Sequence, residues 1–230
     1  SKQVSFQAKP GTLTALVGPS GGGKSTIARL LVHFWDVRDG SIMIGGKDIR
    51  EYTADALADA ISFVSQDNFL FDGTILENIR IGKPDASEEE VYAAAKAAAC
   101  HDFIKELPAG YDTQVGLDGG KLSGGEKQRI TIARAILKDV PIIVLDEATA
   151  YIDTENEDLI QSAIHHLLAG KTVIMIAHRL HNVVDADQII VVDKGELIAQ
   201  GTHEDLFAKC QLYQKLWKAN TEVKDWQMEV

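Results

Sequence analysis

The sequence lacks any long hydrophobic run, because no stretch approaches the ~20 apolar residues that a membrane-spanning helix requires. Cysteine is scarce as well. The two residues present, Cys100 and Cys210, stand far apart and in no spacing typical of a metal site. Two isolated cysteines favour free thiols of a cytosolic protein over a disulfide framework. We therefore expect a chain that lies outside the lipid and keeps both thiols reduced.

The sequence also has a deficit of positive charge. Its 23 Lys and Arg residues stand against 34 Asp and Glu, which gives a formal net charge of −11. Binding to nucleic acid or to an anionic membrane surface requires clustered Lys and Arg, so we expect no nucleic-acid partner. An anionic ligand must instead be held by local groups. The 230 residues, 45% hydrophobic and 25% charged, are otherwise typical of one large globular domain.

The apolar runs that are present predict an α/β fold with a mostly parallel sheet. Residues 142–145 are four consecutive apolar residues, a pattern typical of a strand buried on both faces, and residues 172–176 are similar. Alternation over residues 4–8, a turn at Pro10-Gly11 and the run at 12–17 predict an N-terminal β region. Further strands are expected at residues 41–44, 61–65, 188–192 and 196–199, the last two as a hairpin around Lys194-Gly195.

Helical patterns occupy the intervals between these runs. Residues 75–137, rich in Ala, Glu and Lys, predict a helical subdomain inserted between two halves of the α/β core. Thr202 with Asp205 three positions later predicts the cap of a last helix, whereas the tail after Asn220 shows no clear pattern. Helices are also expected at residues 25–32, 53–58 and 155–168.

A glycine-rich segment lies between the strand at 12–17 and the helix that follows it. It fits G-x-x-x-x-G-K-[ST], with the residues Gly18, Pro19, Ser20, Gly21, Gly22, Gly23, Lys24 and Ser25. Such glycines let the backbone wrap phosphate oxygens, and the helix N-terminus, which includes Thr26, attracts an anion. Lys24 can reach the β- and γ-phosphates, and the Ser25 hydroxyl can bind Mg²⁺. An incidental match arises in roughly one chain of this length in a hundred.

Polar residues stand at the ends of three predicted strands, where parallel sheets bind their ligands. Asp146 and Glu147 follow the run at 142–145, and they suit an Mg²⁺ ligand and a water-activating base, respectively. His178 follows the next strand and can act at the γ-phosphate or the attacking water. Gln66 follows the strand at 61–65, where its amide either bridges Mg²⁺ and water or caps a loop.

A second candidate phosphate site begins another helix, about a hundred residues further along. Ser123 and Glu126 form an S-x-x-E capping box, which alone accounts for a helix start. The box does not require Gly124 and Gly125, which disfavour a helix interior by roughly 1 kcal/mol each. Glycines at a helix N-terminus permit close approach to an anion, so we expect this turn to bind phosphate as well.

Together these motifs resemble the nucleotide-binding domain of ATP-binding cassette (ABC) transporters, over residues 1–218, with 219–230 as a C-terminal tail. The resemblance implies that residues 122–128 are the signature motif, and that two such domains pair head to tail around ATP. It also implies a P-loop NTPase core with a helical subdomain and a truncated N-terminal antiparallel β subdomain. The roles it implies are Walker B aspartate for Asp146, catalytic glutamate for Glu147, Q-loop glutamine for Gln66, switch histidine for His178 and D-loop aspartate for Asp153.

Two further segments are similar to the exporter subtype of the family: residues 66–79, and residues 111–116 just ahead of the signature. In exporters these segments flank the coupling helices of the membrane domain. The resemblance therefore implies an ATPase motor at the cytoplasmic face of a membrane, with ATP and Mg²⁺ as ligands. It implies two partners, a second nucleotide-binding domain, identical or different, and a transmembrane domain upstream in the same full-length chain.

The sequence departs from the family pattern at four points. The adenine-stacking aromatic of the family lies upstream of the first residue here. Ala150-Tyr151-Ile152 replaces the usual D-loop residues before Asp153. Glu126 replaces the glutamine of the signature motif, and Leu117 stands where exporters often have glutamate. Two alternative functions use the same motifs. One is a soluble cassette ATPase of DNA repair or translation, against which the acidic charge speaks. The other is a regulatory ATP-binding module without turnover.

Overall fold

The computed structural model describes residues 4–65, 67–116, 122–146 and 154–227. The chain forms two compact units. The first comprises Ser1–Phe63, Pro141–Ala148 and Lys171–Val230, and the second comprises Val64–Val140 and Thr149–Gly170. None of the helices in the described ranges is at once long and apolar enough to cross a bilayer.

Eight strands are present in the described residues: β1 Leu13–Val17, β2 Met43–Ile44, β3 Lys47–Asp48, β4 Ile61–Val64, β5 Ile142–Asp146, β6 Thr172–Ile176, β7 Gln188–Asp193 and β8 Glu196–Gly201. Six of them form one sheet in the order β4-β5-β6-β1-β7-β8. β1 runs parallel to both β6 and β7, β5 runs parallel to β6, and β8 is antiparallel to β7. The predicted α/β class with a mostly parallel sheet is therefore confirmed.

Nine α-helices are described: α1 Lys24–Leu31, α2 Ala54–Ala60, α3 Ile75–Arg80, α4 Glu88–Ala97, α5 His101–Glu106, α6 Gly124–Lys138, α7 Thr154–Leu168, α8 His203–Lys209 and α9 Gln211–Gln227. The core of the first unit lies between the sheet and its helices. Leu16, Val144 and Ile190 of the central strands are fully buried, and Ala28 of α1 packs into the same cluster. Continuous apolar strands fold this way because both faces of the sheet are covered.

Three local predictions differ from the structure. Residues 4–9 do not form a strand, although their side chains alternate in exposure as predicted and Phe6 and Ala8 pack on the core. Within the described residues this segment lacks a hydrogen-bonded neighbour, and packing alone does not make a strand. The strand predicted at 41–44 shortens to β2, which pairs with β3 through Gly45 and Gly46. Their φ angles of 58° and 82° fit a tight type I′ hairpin.

The C-terminal tail is the third difference, because α9 continues through it. The predicted loss of pattern after Asn220 reflects polar residues, but two of them bond back to their own helix. The Asn220 amide donates to the Leu216 carbonyl at 3.1 Å, and the Thr221 hydroxyl donates to the Trp217 carbonyl at 2.9 Å. Such i−4 bonds are compatible with continued helix, so an apolar stripe was not needed.

The second unit is mostly helical, as predicted for residues 75–137. Thr74, Ser87 and Ser123 begin α3, α4 and α6 with complete capping boxes. α6 is the central helix, because α3, α4 and α7 all pack against it. The segment before α3 also pairs with the segment after α5, through a bridge between Thr74 and Gln114.

Candidate nucleotide-binding site

The glycine-rich loop connects β1 to α1 and has a backbone that only glycine accommodates. Gly18 and Gly23 have φ angles of 154° and 108°. A Cβ atom on Gly18 would lie 1.9 Å from the carbonyl oxygen of Val192, and one on Gly22 would lie 2.9 Å from the same oxygen. The loop is therefore built from glycine for two reasons, conformation and close packing, and this is the form of a phosphate-binding loop.

Lys24 opens α1 and is almost fully buried, with 6% of its surface exposed. Its ammonium group donates to the carbonyl oxygens of Gly18 at 2.8 Å and Pro19 at 2.9 Å. Burial lowers the pKa of Lys24 below its usual value, while the negative charge of Asp146 opposes that shift. The loop thus holds a buried cation whose two hydrogen bonds go to backbone carbonyl oxygens, and a phosphate oxygen can compete for it.

The N-terminus of α1 has no side-chain cap among the described residues, since Gly23 stands at the N-cap in a left-handed conformation. Ser25 and Thr26 in the first turn are exposed. The free N–H groups of a first turn and the positive end of the helix dipole attract anions. The residues from Gly18 to Thr26 that the sequence indicated are therefore brought together in one loop and one helix start.

Asp146 and His178 meet at the end of two neighbouring parallel strands. Asp146 ends β5 opposite Ile176 of β6, and His178 follows two residues later. His178 Nε2 lies 3.6 Å from Asp146 Oδ1, which is too long for a hydrogen bond. Asp146 Oδ1 is buried and has no hydrogen-bond partner in the described parts of the chain. A buried carboxylate oxygen left without a donor is suited to a divalent cation.

The Ser25 hydroxyl and the Asp146 carboxylate are of the chemical type that suits Mg²⁺, and their assignment as ligands stays a prediction. A hydroxyl and a carboxylate are hard ligands, and Mg²⁺ in nucleotide sites takes one or two such protein groups together with phosphates and water. Gln66, the third predicted ligand, lies outside the described residues, and so do Glu147 and Asp153.

The signature helix belongs to the second unit and is considered by itself. Ser123 accepts from the Glu126 N–H at 3.2 Å, and Glu126 accepts from the Ser123 N–H at 2.7 Å, which confirms the capping box. A Cβ on Gly124 would meet no heavy atom within 4 Å in the described structure. Packing against the described residues therefore does not require glycine at 124. Ser123 and Gly124 are exposed and open to an external group, whereas Gly125 is buried.

A contact that supports the phosphate loop from the neighbouring hairpin was not expected from the sequence. The turn between β7 and β8 lies against the loop: the Gly195 N–H donates to the Gly22 carbonyl at 2.9 Å. A Cβ on Gly23 would lie 3.3 Å from the Gly195 Cα. Lys194-Gly195 predicted the hairpin, but no local signal ties a hairpin to a loop so far away in the chain.

A buried polar group organises the exporter-type segment, and this also was not expected. Asn78 of α3 is 1% exposed. It accepts from the Phe71 N–H at 2.8 Å and donates to the Phe71 carbonyl at 2.9 Å. Arg134 of α6 donates to the Asn78 carbonyl at 2.8 Å. The contacts hold Phe69 and Phe71 as an exposed edge-to-face pair with ring centroids 5.0 Å apart.

A glycine loop of this construction, placed between a strand and a helix and facing an acidic strand end, defines a P-loop nucleotide-binding protein. The family described as ABC transporter matches residues 1–150. The chain belongs to this family of ATP-binding proteins, and its similarity is to the ATP-binding domains of exporter-type members.

Individual relatives agree with this assignment. The mycobactin import ATP-binding/permease protein IrtA of Mycolicibacterium smegmatis is 53% identical over 215 residues, covering 94% of this chain and 25% of that protein. ATP-binding cassette sub-family B member 6 of Mus musculus is 51% identical over 217 residues, covering 94% and 26%. A solved bacterial Atm1-family ABC exporter with ATP bound has 50% identity and a TM-score of 0.88, covering 94% of this chain and 38% of that one. The chain thus spans about a quarter of the length of these curated relatives.

Proposed function

We propose that this chain is the ATP-hydrolysing motor domain of an ABC exporter. The observation that carries the proposal is the pairing of a glycine-built phosphate loop with a buried, unpartnered Asp146 oxygen beside His178. Asp146 can hold Mg²⁺ beside the phosphates, and Glu147, the next residue, is the acidic group that a hydrolytic site requires in addition. The named relatives, which combine ATP-binding and permease parts, support the coupling of this chemistry to transport.

The phosphate loop and Lys24 bind and orient the phosphates of ATP. Loop N–H groups and the N-terminus of α1 surround the β-phosphate, and the Lys24 ammonium exchanges its two carbonyl acceptors for β- and γ-phosphate oxygens. Ser25, Asp146 and Gln66 hold Mg²⁺. When bound, Mg²⁺ neutralises charge that develops on the phosphates during phosphoryl transfer.

Hydrolysis itself requires a base and a group that orients water. Glu147, directly after Asp146, removes a proton from the attacking water. His178 contacts the γ-phosphate or that water, and Gln66 bridges Mg²⁺ and water. Together these residues position a nucleophile in line with the γ-phosphate.

A second nucleotide-binding domain, identical or different, completes the site. Ser123, Gly124, Gly125 and Glu126 of one domain close on the ATP held by the phosphate loop of the other, and Asp153 lies at that interface. The support is Gly124, which is exposed and where a Cβ would meet no side chain of the described residues within 4 Å. Glycine there allows a γ-phosphate to approach the backbone of the helix start.

The other partner is a transmembrane domain, upstream in the same full-length chain, so that the ATPase domain of residues 1–218 works at the cytoplasmic face of a membrane. The curated relatives are about four times as long as this chain, and IrtA is named as an ATP-binding/permease protein. The exposed Phe69 and Phe71, held rigidly by Asn78, offer an apolar contact surface of the kind such a domain requires.

The proposal is tested by ATP turnover of the full-length transporter in lipid nanodiscs. Glu147→Gln is expected to reduce kcat by roughly 100-fold or more while ATP binding persists, because only the base is lost. Lys24→Ala is expected to remove both turnover and tight binding. Lys209→Ala, an exposed lysine of α8, is the matched control and should retain both. Unchanged turnover in Glu147→Gln would contradict the assigned catalysis.

A further inference from the structure

The segment that follows His178 forms a short helix whose N-terminus is capped by a residue far along the chain. Leu180–Val183 form a short 3₁₀ helix, and the side chain of Arg179 at its N-cap makes no capping hydrogen bond among the described residues. The Leu180 N–H instead donates to the side-chain oxygen of Asn220 on α9, at 3.4 Å and 40 residues away. The first N–H groups of a helix require such an acceptor, and here the C-terminal helix supplies it.

Asn220 is oriented for this contact by its own helix. Its amide nitrogen donates to the Leu216 carbonyl at 3.1 Å. With the nitrogen bound there, the oxygen is directed at Leu180. The acceptor is therefore held in position by α9 rather than found by a freely rotating side chain.

A second contact joins α9 to the same turn. The His181 ring meets the Trp217 ring edge-on, with centroids 5.9 Å apart and planes at 90°. Aromatic rings in this arrangement attract each other beyond the effect of their buried area. Trp217 and Asn220 lie three residues apart on one face of α9, so both contacts reach the turn from the same side.

Trp217 is itself fixed by the packing of α9 on α8. Its ring lies 4.6 Å from the His203 ring. His203 Nδ1 and the Tyr213 hydroxyl form a hydrogen bond of 2.8 Å, and Tyr213 is fully buried. The helix therefore approaches the turn as a rigid element.

The turn is held from the inside as well, since Leu180 and Val183 are buried in the core. His178 stands two residues before it with about half of its side chain exposed, so its own packing does little to fix the ring. Its placement near Asp146 depends on the backbone on either side. The backbone before His178 is fixed by β6, and the backbone after it is fixed by the 3₁₀ turn that contacts α9.

We infer that Asn220 and Trp217 are positioning residues for His178, and that α9 thereby sets the rate of ATP hydrolysis. The inference rests on the proposed hydrolytic role of His178. Loss of the Asn220 cap releases the start of the turn and increases the share of conformers in which His178 is misplaced. Small displacements of a group that acts in the transition state reduce kcat without reducing ground-state binding.

The test measures kcat and KM for ATP in the full-length transporter. Asn220→Ala removes the acceptor while favouring the helix. It is expected to lower kcat about three- to tenfold, the range of one hydrogen bond, with KM within about twofold. Asn220→Asp keeps an acceptor but loses the donor to the Leu216 carbonyl, so it is expected to restore kcat only in part. Lys218→Ala, an equal truncation at an exposed site on the same helix, is the matched control and should match the unmodified protein.

A double-mutant cycle distinguishes positioning from general stability. In a His178→Ala background, followed by single-turnover hydrolysis, Asn220→Ala is expected to have no further effect. Trp217→Phe, which withdraws the ring edge from His181, is the second variant and should behave alike with a smaller loss. An unchanged kcat in Asn220→Ala, or a loss of kcat that persists in the His178→Ala background, overturns this inference but leaves the proposed function standing. No turnover in the unmodified protein would overturn the proposed function and this inference with it.

Discussion

Gly18 at the end of β1 faces the carbonyl oxygen of Val192 so closely that a Cβ atom would lie 1.9 Å from it. The phosphate loop is thus pressed against the last strand pair of the sheet. Contact with β7 fixes its backbone, and no ligand is needed to shape it. A loop held this way binds phosphate without first losing conformational freedom.

Gly18→Ala is therefore expected to lower the free energy of unfolding by about 3 kcal/mol or more, through overpacking and a strained φ. Gly21→Ala is the control in the same loop. Its φ of 73° is also unfavourable, but a Cβ there would meet nothing described within 4 Å, so about 1 kcal/mol is expected. Urea unfolding of both variants gives the comparison, and equal losses would show that the Val192 contact has no energetic weight.

Asp146→Asn tests the metal site separately from the fold. Because Asp146 Oδ1 has no hydrogen-bond partner among the described residues, the variant is expected to unfold within about 1 kcal/mol of the unmodified chain. The rise in melting temperature that Mg²⁺ adds to saturation with ATP should disappear. Asp158→Asn, at an exposed position of α7, should keep that rise. Retention of the Mg²⁺ effect in Asp146→Asn would exclude Asp146 as a ligand.

Asn78→Ala is expected to destabilise the second unit by about 2–4 kcal/mol. The substitution leaves several part-buried backbone groups without their hydrogen-bond partner and removes a partner of Arg134. Asp72→Ala, an exposed change in the same segment, should remain within about 0.5 kcal/mol. Thermal and urea unfolding provide the measurement. If the two variants unfold alike, the Asn78 network does not organise this segment.

Alkaline pH is expected to destabilise the fold through buried groups that must stay neutral. Burial raises the pKa of Cys100 from 9.0 to about 12 and that of Tyr213 from 10.0 to about 12. A folded-state pKa above the unfolded value gives stability that is complete below the unfolded pKa and lost as pH rises towards the folded one. Each group then contributes a slope of about 1.4 kcal/mol per pH unit, from pH 9.0 upwards for Cys100.

Cys100→Ala isolates this effect from that of Lys24, whose lowered pKa acts in the opposite direction near pH 10. Between pH 9 and 11 the free energy of unfolding should fall less steeply with pH in the variant than in the unmodified chain. The expected difference in slope is that of one ionising group, about 1.4 kcal/mol per pH unit. Urea unfolding at stepped pH measures the difference. Parallel curves for the two proteins would mean that Cys100 ionises in the folded state as readily as in the unfolded one.

Much of the fold follows from local patterns in the sequence. β6 has the bounds that its apolar run predicts, and Ser123 caps α6 through Glu126 as expected. These features depend on neighbours in the chain, so periodicity and capping chemistry are sufficient to predict them. The phosphate loop is also local, and its glycines and Lys24 are recognisable without a structure.

The parts that the sequence did not predict depend on distant contacts. The support that Gly195 gives to Gly22, and the cap that Asn220 gives to Leu180, join segments with no common pattern. Residues 4–9 show the reverse case. Their alternation is that of a strand, but a strand also requires a hydrogen-bonded neighbour, which alternation does not predict.

The central place of β1 has a consequence for how the protein is made. The Leu13 N–H donates to Asp187, 174 residues further along, and β1 takes its partners from β6 and β7 in the last third of the chain. On the ribosome this strand emerges before β6 and β7, and it remains unpaired until both have been synthesised. Sheets closed by such distant pairings form slowly. An apolar segment that stays exposed until its partner strands have been made is prone to aggregation, and it is the segment that a chaperone would protect.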